Sequence, residues 1–343
     1  MTNEITGRVT ATYRDYFEVE SEHGTSLAKL KSSSYYNGEE NIPFPTTGDY
    51  VNFIYQEKGD SLITSTLPRK TFFSRSDSFR NSINHGEQAV AANFDYVFVM
   101  QSLNKDFNIH RLERYLTLAW QSGATPVVVL TKADLADNAF IMVEEAQNTA
   151  IGVDVIAVSS KTGLGIDKLS PYLQPENTIV LLGSSGIGKS SLINAIAGEE
   201  VMSTAEIRED DDKGRHTTTH RQLITLPQGV KIIDTPGMRS LGMYDVSEGL
   251  GQSFSDIEEF FGRCKFTDCK HQTEPGCAVI KAIEDGIISR KRWESYNQLK
   301  NEAKYSDNKA SYLAQKQQFH KSLSRQTRQK EKYRKNGRHD SSI

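Results

Sequence analysis

GSSGIGKSS, residues 183–191, sits past the midpoint of a 343-residue chain. Gly183, Gly188, Lys189 and Ser190 fit the pattern GxxxxGK[ST], with an apolar run, IVLLG, before it and a helical pattern, KSSLINAIAG, after it. Glycines in such a loop let backbone N–H groups wrap phosphate oxygens; the lysine reaches the β and γ oxygens and the serine hydroxyl ligates Mg2+. Residues Gly183 to Ser191, including Ser184, Ser185, Gly186, Ile187 and Ser191, are therefore expected to cradle a nucleoside triphosphate. The context of strand, loop and helix makes the signal specific, where a lone pair of glycines would not be.

Downstream, DTPG at residues 234–237 closes the apolar run VKIID. Asp234 is expected to hold the magnesium shell through water and the Gly237 N–H to touch a γ-phosphate. Between them lies GRHTTTHRQL, residues 214–223. A threonine here closes over Mg2+ and the γ-phosphate; Thr218 and Thr219 both qualify, and Thr219 is preferred. The preceding EIREDDDKGRH, residues 206–216, lacks any apolar period and suits a mobile switch.

The base-reading signature comes first in the chain. TKAD, residues 131–134, follows the strand pattern TPVVVL, and SSKTG, residues 159–163, follows VDVIAV. An aspartate in [NT]KxD accepts two hydrogen bonds from guanine N1 and N2, a pair adenine does not offer, so Asp134 selects GTP over ATP. Lys132 lays its stem over the base beside Thr131. From Ser159–Ser160–Lys161, the Ser160 N–H meets guanine O6 and Lys161 covers the other ring face. Taken singly, TKAD is also an ordinary helix start with an acidic first turn. The two motifs in order, each at the end of an apolar strand, make a G domain whose chain order is permuted. Moving the cut is tolerable because all ligand loops occupy one edge of a parallel sheet.

Many G domains place a glutamine after DxxG to orient water. Met238 stands there and does not serve. His216 is the candidate in cis, with nucleic-acid contact or plain exposure as the alternatives. Arg239 either neutralises phosphate charge or faces a partner.

The rest of the chain is read around this core. Apolar strands separated by helices from about residue 90 describe a mostly parallel sheet covered on both faces. FDYVFVM and ENTIVLLG are strands, IHRLERYLTLAWQSG is an amphipathic helix, GIDKLSPYL starts a helix, and a helix lies near 138–150. Residues 1–68 read as short strands around Gly and Pro turns, a small barrel that is either a nucleic-acid-binding OB fold or a covering domain. Residues 69–245 form the GTPase domain. Residues 246–343 form a helical zinc-binding domain with a polar helix from roughly 289 to 320 and a basic tail.

The three cysteines, Cys264, Cys269 and Cys277, lie with His271 within 14 residues as C-x4-C-x-H-x5-C. An odd count in so short a span suits a metal rather than disulfides. Three thiolates and an imidazole suit one structural tetrahedral Zn2+ with no ligand position left for water. Cysteine usage points to a reducing cytoplasm.

Hydrophobic residues make up 37% and charged residues 25%, with no apolar run near membrane length and no secretory leader. The net charge of -3 hides an asymmetry: residues 304–343 carry 11 Lys or Arg against 3 Asp or Glu, so that tail is +8 and the remainder -11. Such a split points to a local polyanion contact, salt-dependent if the polyanion is RNA.

Together TKAD, SSKTG, GSSGIGKSS, GRHTTT, DTPG and the cysteine knuckle resemble the ribosome small subunit-dependent GTPase A family, over essentially the full chain. The resemblance implies an N-terminal OB barrel, Mg2+-dependent GTP hydrolysis to GDP and stimulation by the 30S subunit. It also implies late 30S maturation with 16S rRNA contacts through the barrel and zinc domains, and departure on hydrolysis. It places the hydrolysis-linked histidine on His216 and the hydrophobic residue after DxxG on Met238. Thr131 stands for the more general asparagine, a variant the family accepts. A monomer without a membrane partner is expected. The competing readings are a nucleotide-gated RNA-binding protein whose slow hydrolysis is incidental, and a protein- or membrane-directed G protein, for which no lipidation signal is present.

Overall fold

The computed structural model describes residues 4–35, 42–76, 87–202, 221–234 and 246–306. His216, Thr218, Thr219, Gly237, Met238, Arg239 and the tail beyond 306 lie outside the described residues.

The chain opens with β1 (Glu4–Thr12), β2 (Phe17–Ser21) and β3 (Gly24–Leu30), then the single turn α1 (Ser32–Tyr35), β4 (Tyr50–Ile54) and β5 (Ser61–Thr66). These five strands close on themselves in the order β1-β2-β3-β5-β4, with β1 pairing β4. Closure removes the free edges an open sheet would expose. The interior is filled by Val9, Val19, Ala28, Val51, Phe53 and Ile63. Gly7 belongs on β1 for a steric reason: a Cβ there would lie 2.5 Å from Val19 Cγ1 and 2.8 Å from Phe53 Cε1.

A two-stranded ribbon follows, β6 (Phe72–Ser76) and β7 (Glu87–Ala92), which the sequence reading had not separated from its surroundings. The nucleotide-binding part then runs β8 (Tyr96–Ser102), α2 (Ile109–Gln121), β9 (Thr125–Thr131), α3 (Ala139–Thr149), β10 (Val155–Ala157), β11 (Thr178–Leu182), α4 (Lys189–Ala197), β12 (Arg221–Thr225) and β13 (Lys231–Asp234). The expected helix at GIDKLSPYL is a correction: only a single 3₁₀ turn, Asp167–Leu169, forms there. Pro171 sits in the position where a helix would continue, and it has no N–H to donate.

The strand order is β10-β9-β8-β11-β13-β12. All neighbours are parallel except β12 against β13. Strand β11, which leads into GSSGIGKSS, is therefore central in space although late in the chain. Both faces are covered, which explains the near-continuous apolar strands. Val97, Val99, Val128, Leu130, Val180 and Leu182 face α2, α3 and the C-terminal helices. The alternate residues Phe98, Met100, Val127, Val129, Ile179 and Leu181 face the other way, toward Leu192 and Ile193 of α4.

The barrel is not a loose appendage. β1 pairs antiparallel with β12 through Ala11↔Gln222 and Thr12↔Arg221, so the two sheets are hydrogen-bonded into one of eleven strands. Buried Arg8 reinforces the join: its Nη2 donates to the Asn93 carbonyl at 2.8 Å and to Thr178 Oγ1 at 3.0 Å, at the start of β11. Burial pushes its pKa below the ordinary arginine value, and the nearby acidic side chains and Tyr50 oppose that shift.

The C-terminal part carries α5 (Ser247–Ser253), α6 (Ser255–Glu258), α7 (Ala278–Glu284) and α8 (290–306). It rests on α2 through a buried ion network. Arg292 on α8 donates to Glu113 Oε1 on α2 at 2.9 Å and to both oxygens of Asp256 at 3.1 Å. Its guanidinium lies 4.3 Å above the Phe254 ring. Glu113, 2% exposed, also accepts from Ser295 Oγ.

Candidate functional site: a nucleotide edge and a Cys3His cluster

Because β8, β9, β10, β11 and β13 are parallel, their C-terminal ends share one edge. The loops after β9, β10, β11 and β13 are TKAD, SSKTG, GSSGIGKSS and DTPG. The structure thus brings together, within its described residues, Thr131, Lys132, Asp134, Ser159, Ser160, Lys161, residues 183–191 and Asp234.

The phosphate loop bends through Gly186 (φ 75°) and Gly188 (φ 99°), left-handed values at which a side chain is strained. Lys189 Nζ donates to the carbonyls of Gly183 at 2.8 Å and Ser184 at 3.0 Å. Its positive charge also reaches Asp234. Burial raises the Asp234 pKa, and Lys189 pulls it back.

The base loop clasps the phosphate loop directly. Thr131 Oγ1, on a residue 2% exposed, lies 2.6 Å from the Ile187 carbonyl oxygen and 3.3 Å from that of Gln101. Lys132, in the left-handed region at φ 58°, reaches across so that Nζ donates to the Gly186 carbonyl at 2.9 Å. Asp134 is held by Ser159, whose Oγ donates to Oδ1 at 2.6 Å. That hydroxyl keeps the exposed carboxyl below the usual carboxylate range, with Lys161 adding to the shift. Ser159 Oγ in turn accepts from the Thr162 N–H at 3.2 Å, fixing the SSKTG turn. Ser159 therefore positions Asp134, a relation no spacing rule announces; Ser160 and Lys161 remain at the surface side of the turn. The Asp234 carboxylate and the Ser190 hydroxyl are themselves hard oxygens, which fit Mg2+.

At the far end of the chain, the ligand atoms of Cys264, Cys269, His271 and Cys277 lie within 4.8 Å of one another. Cys264 Sγ is 3.9 Å from Cys277 Sγ, and His271 Nδ1 is 3.4 Å from each of those two sulfurs. A tetrahedral Zn2+ with Zn–S near 2.3 Å requires S···S edges of about 3.8 Å, so the donor set fits that ion. The backbone N–H groups of Ala278 and Ile280 point at the Cys264 and Cys277 sulfurs. Phe261 stacks on His271 at 4.7 Å and 8°. Glu274, unremarked in the sequence reading, accepts from the N–H groups of Lys270, Gln272 and Thr273 and so shapes the ligand loop. Those bonds bring its pKa down to about 2. A glutamate between two ligands in a turn-rich segment was the available signal.

A central phosphate-loop strand that enters late, preceded in sequence by the base loops, defines a circularly permuted GTPase fused to a closed barrel and a Cys3His module. A family model described as RsgA GTPase matches residues 66–244. The chain is 47% identical over 306 residues to the small ribosomal subunit biogenesis GTPase RsgA 1 of Listeria innocua, covering 89% of this chain and 85% of the relative. It is 47% identical over 267 residues to the RsgA of Methanosarcina acetivorans, covering 78% and 72%. Among solved structures it resembles YjeQ from Thermotoga maritima, with a TM-score of 0.64, 28% identity and 86% and 97% of the two chains covered. It also resembles YloQ, described as a circularly permuted GTPase, with a TM-score of 0.59, 26% identity and coverage of 89% and 96%. The chain belongs to the RsgA GTPase family. A model described as ABC transporter also matches, over residues 166–341. The matched stretch contains residues 183–191 but begins after TKAD and SSKTG, so it does not account for the guanine-directed loops. No described helix is long and apolar enough to cross a membrane.

Proposed function

We propose that this protein is a GTPase stimulated by the small ribosomal subunit, acting late in 30S maturation and leaving the particle on hydrolysis. The observation that carries the reading is the clasp between the base loop and the phosphate loop, Thr131 on Ile187, in a chain that also holds a Cys3His module. The names of its relatives, small ribosomal subunit biogenesis GTPases, support the partner.

In this reading Asp134 and the Ser160 N–H read guanine, with Thr131, Lys132, Ser159 and Lys161 framing the base. The N–H groups of residues 183–191 bind the phosphates. Lys189 leaves the Gly183 and Ser184 carbonyls and turns its ammonium to the β and γ oxygens, neutralising charge that grows during transfer. Ser190, Thr219 and, through water, Asp234 hold Mg2+, which supplies further charge neutralisation when bound. Thr218 is the alternative to Thr219. Gly237 senses the γ-phosphate. His216 orients the attacking water, a role Met238 does not fill. Cys264, Cys269, His271 and Cys277 hold one structural Zn2+. The domains are 1–68, 69–245 and 246–343, the last ending in the basic tail that meets 16S rRNA. The protein works as a cytoplasmic monomer.

The deciding experiment is GTP turnover with and without purified 30S subunits. Strong stimulation, abolished in Lys189→Ala, supports the reading. Absence of stimulation at every salt concentration overturns it and leaves a nucleotide-gated RNA binder. Full stimulated turnover in His216→Ala removes that histidine from the mechanism.

A further inference from the structure

Residues 46–49, the turn that leads into β4, lie where the barrel meets the nucleotide-binding sheet, and all four are buried. Asp49 shapes the turn: one carboxylate oxygen accepts from the Thr46 N–H at 2.8 Å, and both oxygens accept from Arg69. Gly48 has a φ of 94°, and a Cβ there would lie 2.0 Å from the Ala92 carbonyl oxygen and 2.9 Å from Ile233 Cδ1. The barrel turn is thus seated on β13 one residue before Asp234. Thr47, fully buried, makes the polar contacts. Its carbonyl accepts from the Ala92 N–H of the ribbon at 3.0 Å, and its hydroxyl donates to the Arg221 carbonyl of β12 at 3.1 Å. That hydroxyl has a single proton, so Thr12 Oγ1, 3.1 Å away, donates to it in turn.

Strand register carries this contact to Asp234. The pairing of β13 with β11 ends at Ile233, and the partner of Asp234 is Gln222 on β12. On its other side β12 is backed by the end of β1, Ala11 against Gln222 and Thr12 against Arg221. A bulge between Val9 and Ala11 bends β1 just before this contact. The row Ala11, Gln222, Asp234 therefore runs from the barrel to the edge where the nucleotide loops gather.

We propose that Thr47 is a positioning residue for Asp234: its hydroxyl fixes β12 from the barrel side, and β12 fixes the end of β13 where the Mg2+-directed carboxylate stands. The inference rests on the functional reading above, in which Asp234 serves Mg2+, and adds a barrel residue to that site. A barrel that merely covered the sheet would need only apolar contact here, which tolerates sliding. A hydroxyl buried against a strand carbonyl sets a distance and an angle as well.

The test uses the full-length protein and a fluorescent non-hydrolysable GTP analogue, mant-GMPPNP, titrated once in Mg2+ and once in EDTA. The ratio of the two affinities is the gain due to Mg2+. Thr47→Val and Thr47→Ala remove the donor in two ways, and each is expected to lower that gain about five-fold while leaving the affinity in EDTA unchanged. Thr47→Ser keeps the donor and is expected to keep the gain. Val51→Ala, in the barrel interior, reports lost stability alone: its thermal midpoint should fall and its gain should stay at the wild-type level. The proposal is overturned by a wild-type gain in either folded donor-less variant, by an equal loss in Thr47→Ser, or by the same loss in Val51→Ala. Asp234→Asn separates the two levels. If that variant keeps the gain, the assignment of Asp234 to Mg2+ falls and this inference with it; if it abolishes the gain while the Thr47 variants keep it, only the role of Thr47 falls.

Discussion

The hydroxyl of Thr131 donates to the carbonyl of Ile187 at 2.6 Å, joining the base loop to the phosphate loop across 56 residues of chain. The same oxygen sits 3.3 Å from the Gln101 carbonyl, and Gln101 Nε2 donates to the Asn108 carbonyl at 3.2 Å, at the N-cap of α2. The phosphate loop is therefore braced by the end of β9, which is itself tied to the end of β8.

Replacing Thr131 with valine keeps the volume and removes the donor. A buried carbonyl left without its partner costs ~1–3 kcal/mol. The expected result is GTP and GDP affinities reduced together by about five-fold or more, because the clasp shapes the bound state rather than the transferred phosphate. A fluorescent-nucleotide titration checks this; a loss confined to kcat would contradict it.

Ser159→Ala removes the hydroxyl that holds Asp134 as a carboxylate. The carboxyl pKa should rise toward its ordinary value. Base reading needs the carboxylate, so GTP affinity is lost as pH falls through the Asp134 pKa. In the variant that loss begins at higher pH than in the wild type; at pH 7 the carboxylate stays ionised but loses the hydroxyl that positions it, so ATP exclusion weakens there for that reason. Affinity for both nucleotides measured from about pH 2.5 to 7 tests the sign; superimposable profiles would remove Ser159 from this role.

Glu274 is held as a carboxylate to about pH 2 by backbone N–H groups. Because its folded pKa lies below the unfolded one, its support for the ligand loop is complete above the ordinary glutamate pKa and is lost as pH falls toward that folded value. Glu274→Gln should lower zinc affinity about ten-fold at neutral pH, measured by competition with a chromophoric chelator. Removing the metal should also disturb Trp293, whose ring meets His271 edge-on at 6.2 Å, and the tryptophan emission should shift.

Arg292→Met leaves Glu113, on α2, charged and buried without its arginine. Such a loss costs ~3–5 kcal/mol, read as a lowered midpoint in urea unfolding. The double variant with Glu113→Gln should recover most of it, since the deeply buried charge is then gone and only the more exposed Asp256 has lost its arginine. Lack of recovery would show that the arginine acts through Phe254, Asp256 and the Ser253 carbonyl rather than through Glu113.

The amino-acid sequence by itself determined the nucleotide class, the permuted order and the four residues of the Cys3His cluster. Those features are local: glycines where the backbone turns left-handed, an aspartate at the end of an apolar run, thiols spaced to close a small loop. It also placed most strands, since residues buried on both faces read as unbroken apolar runs. It overextended a helix at Pro171 and passed over the ribbon of β6 and β7, whose short strands carry little period. Tertiary structure alone decided what meets what across long separations. That β12 extends the barrel through Ala11 and Gln222, that Thr131 braces Ile187, that Arg292 locks α8 onto Glu113, and that α8 faces the cysteine loop across a groove are not written in any one segment. A segment's pattern reports which face it will bury; the partner of that face is set only when the whole chain has packed and each buried polar group has found its bond.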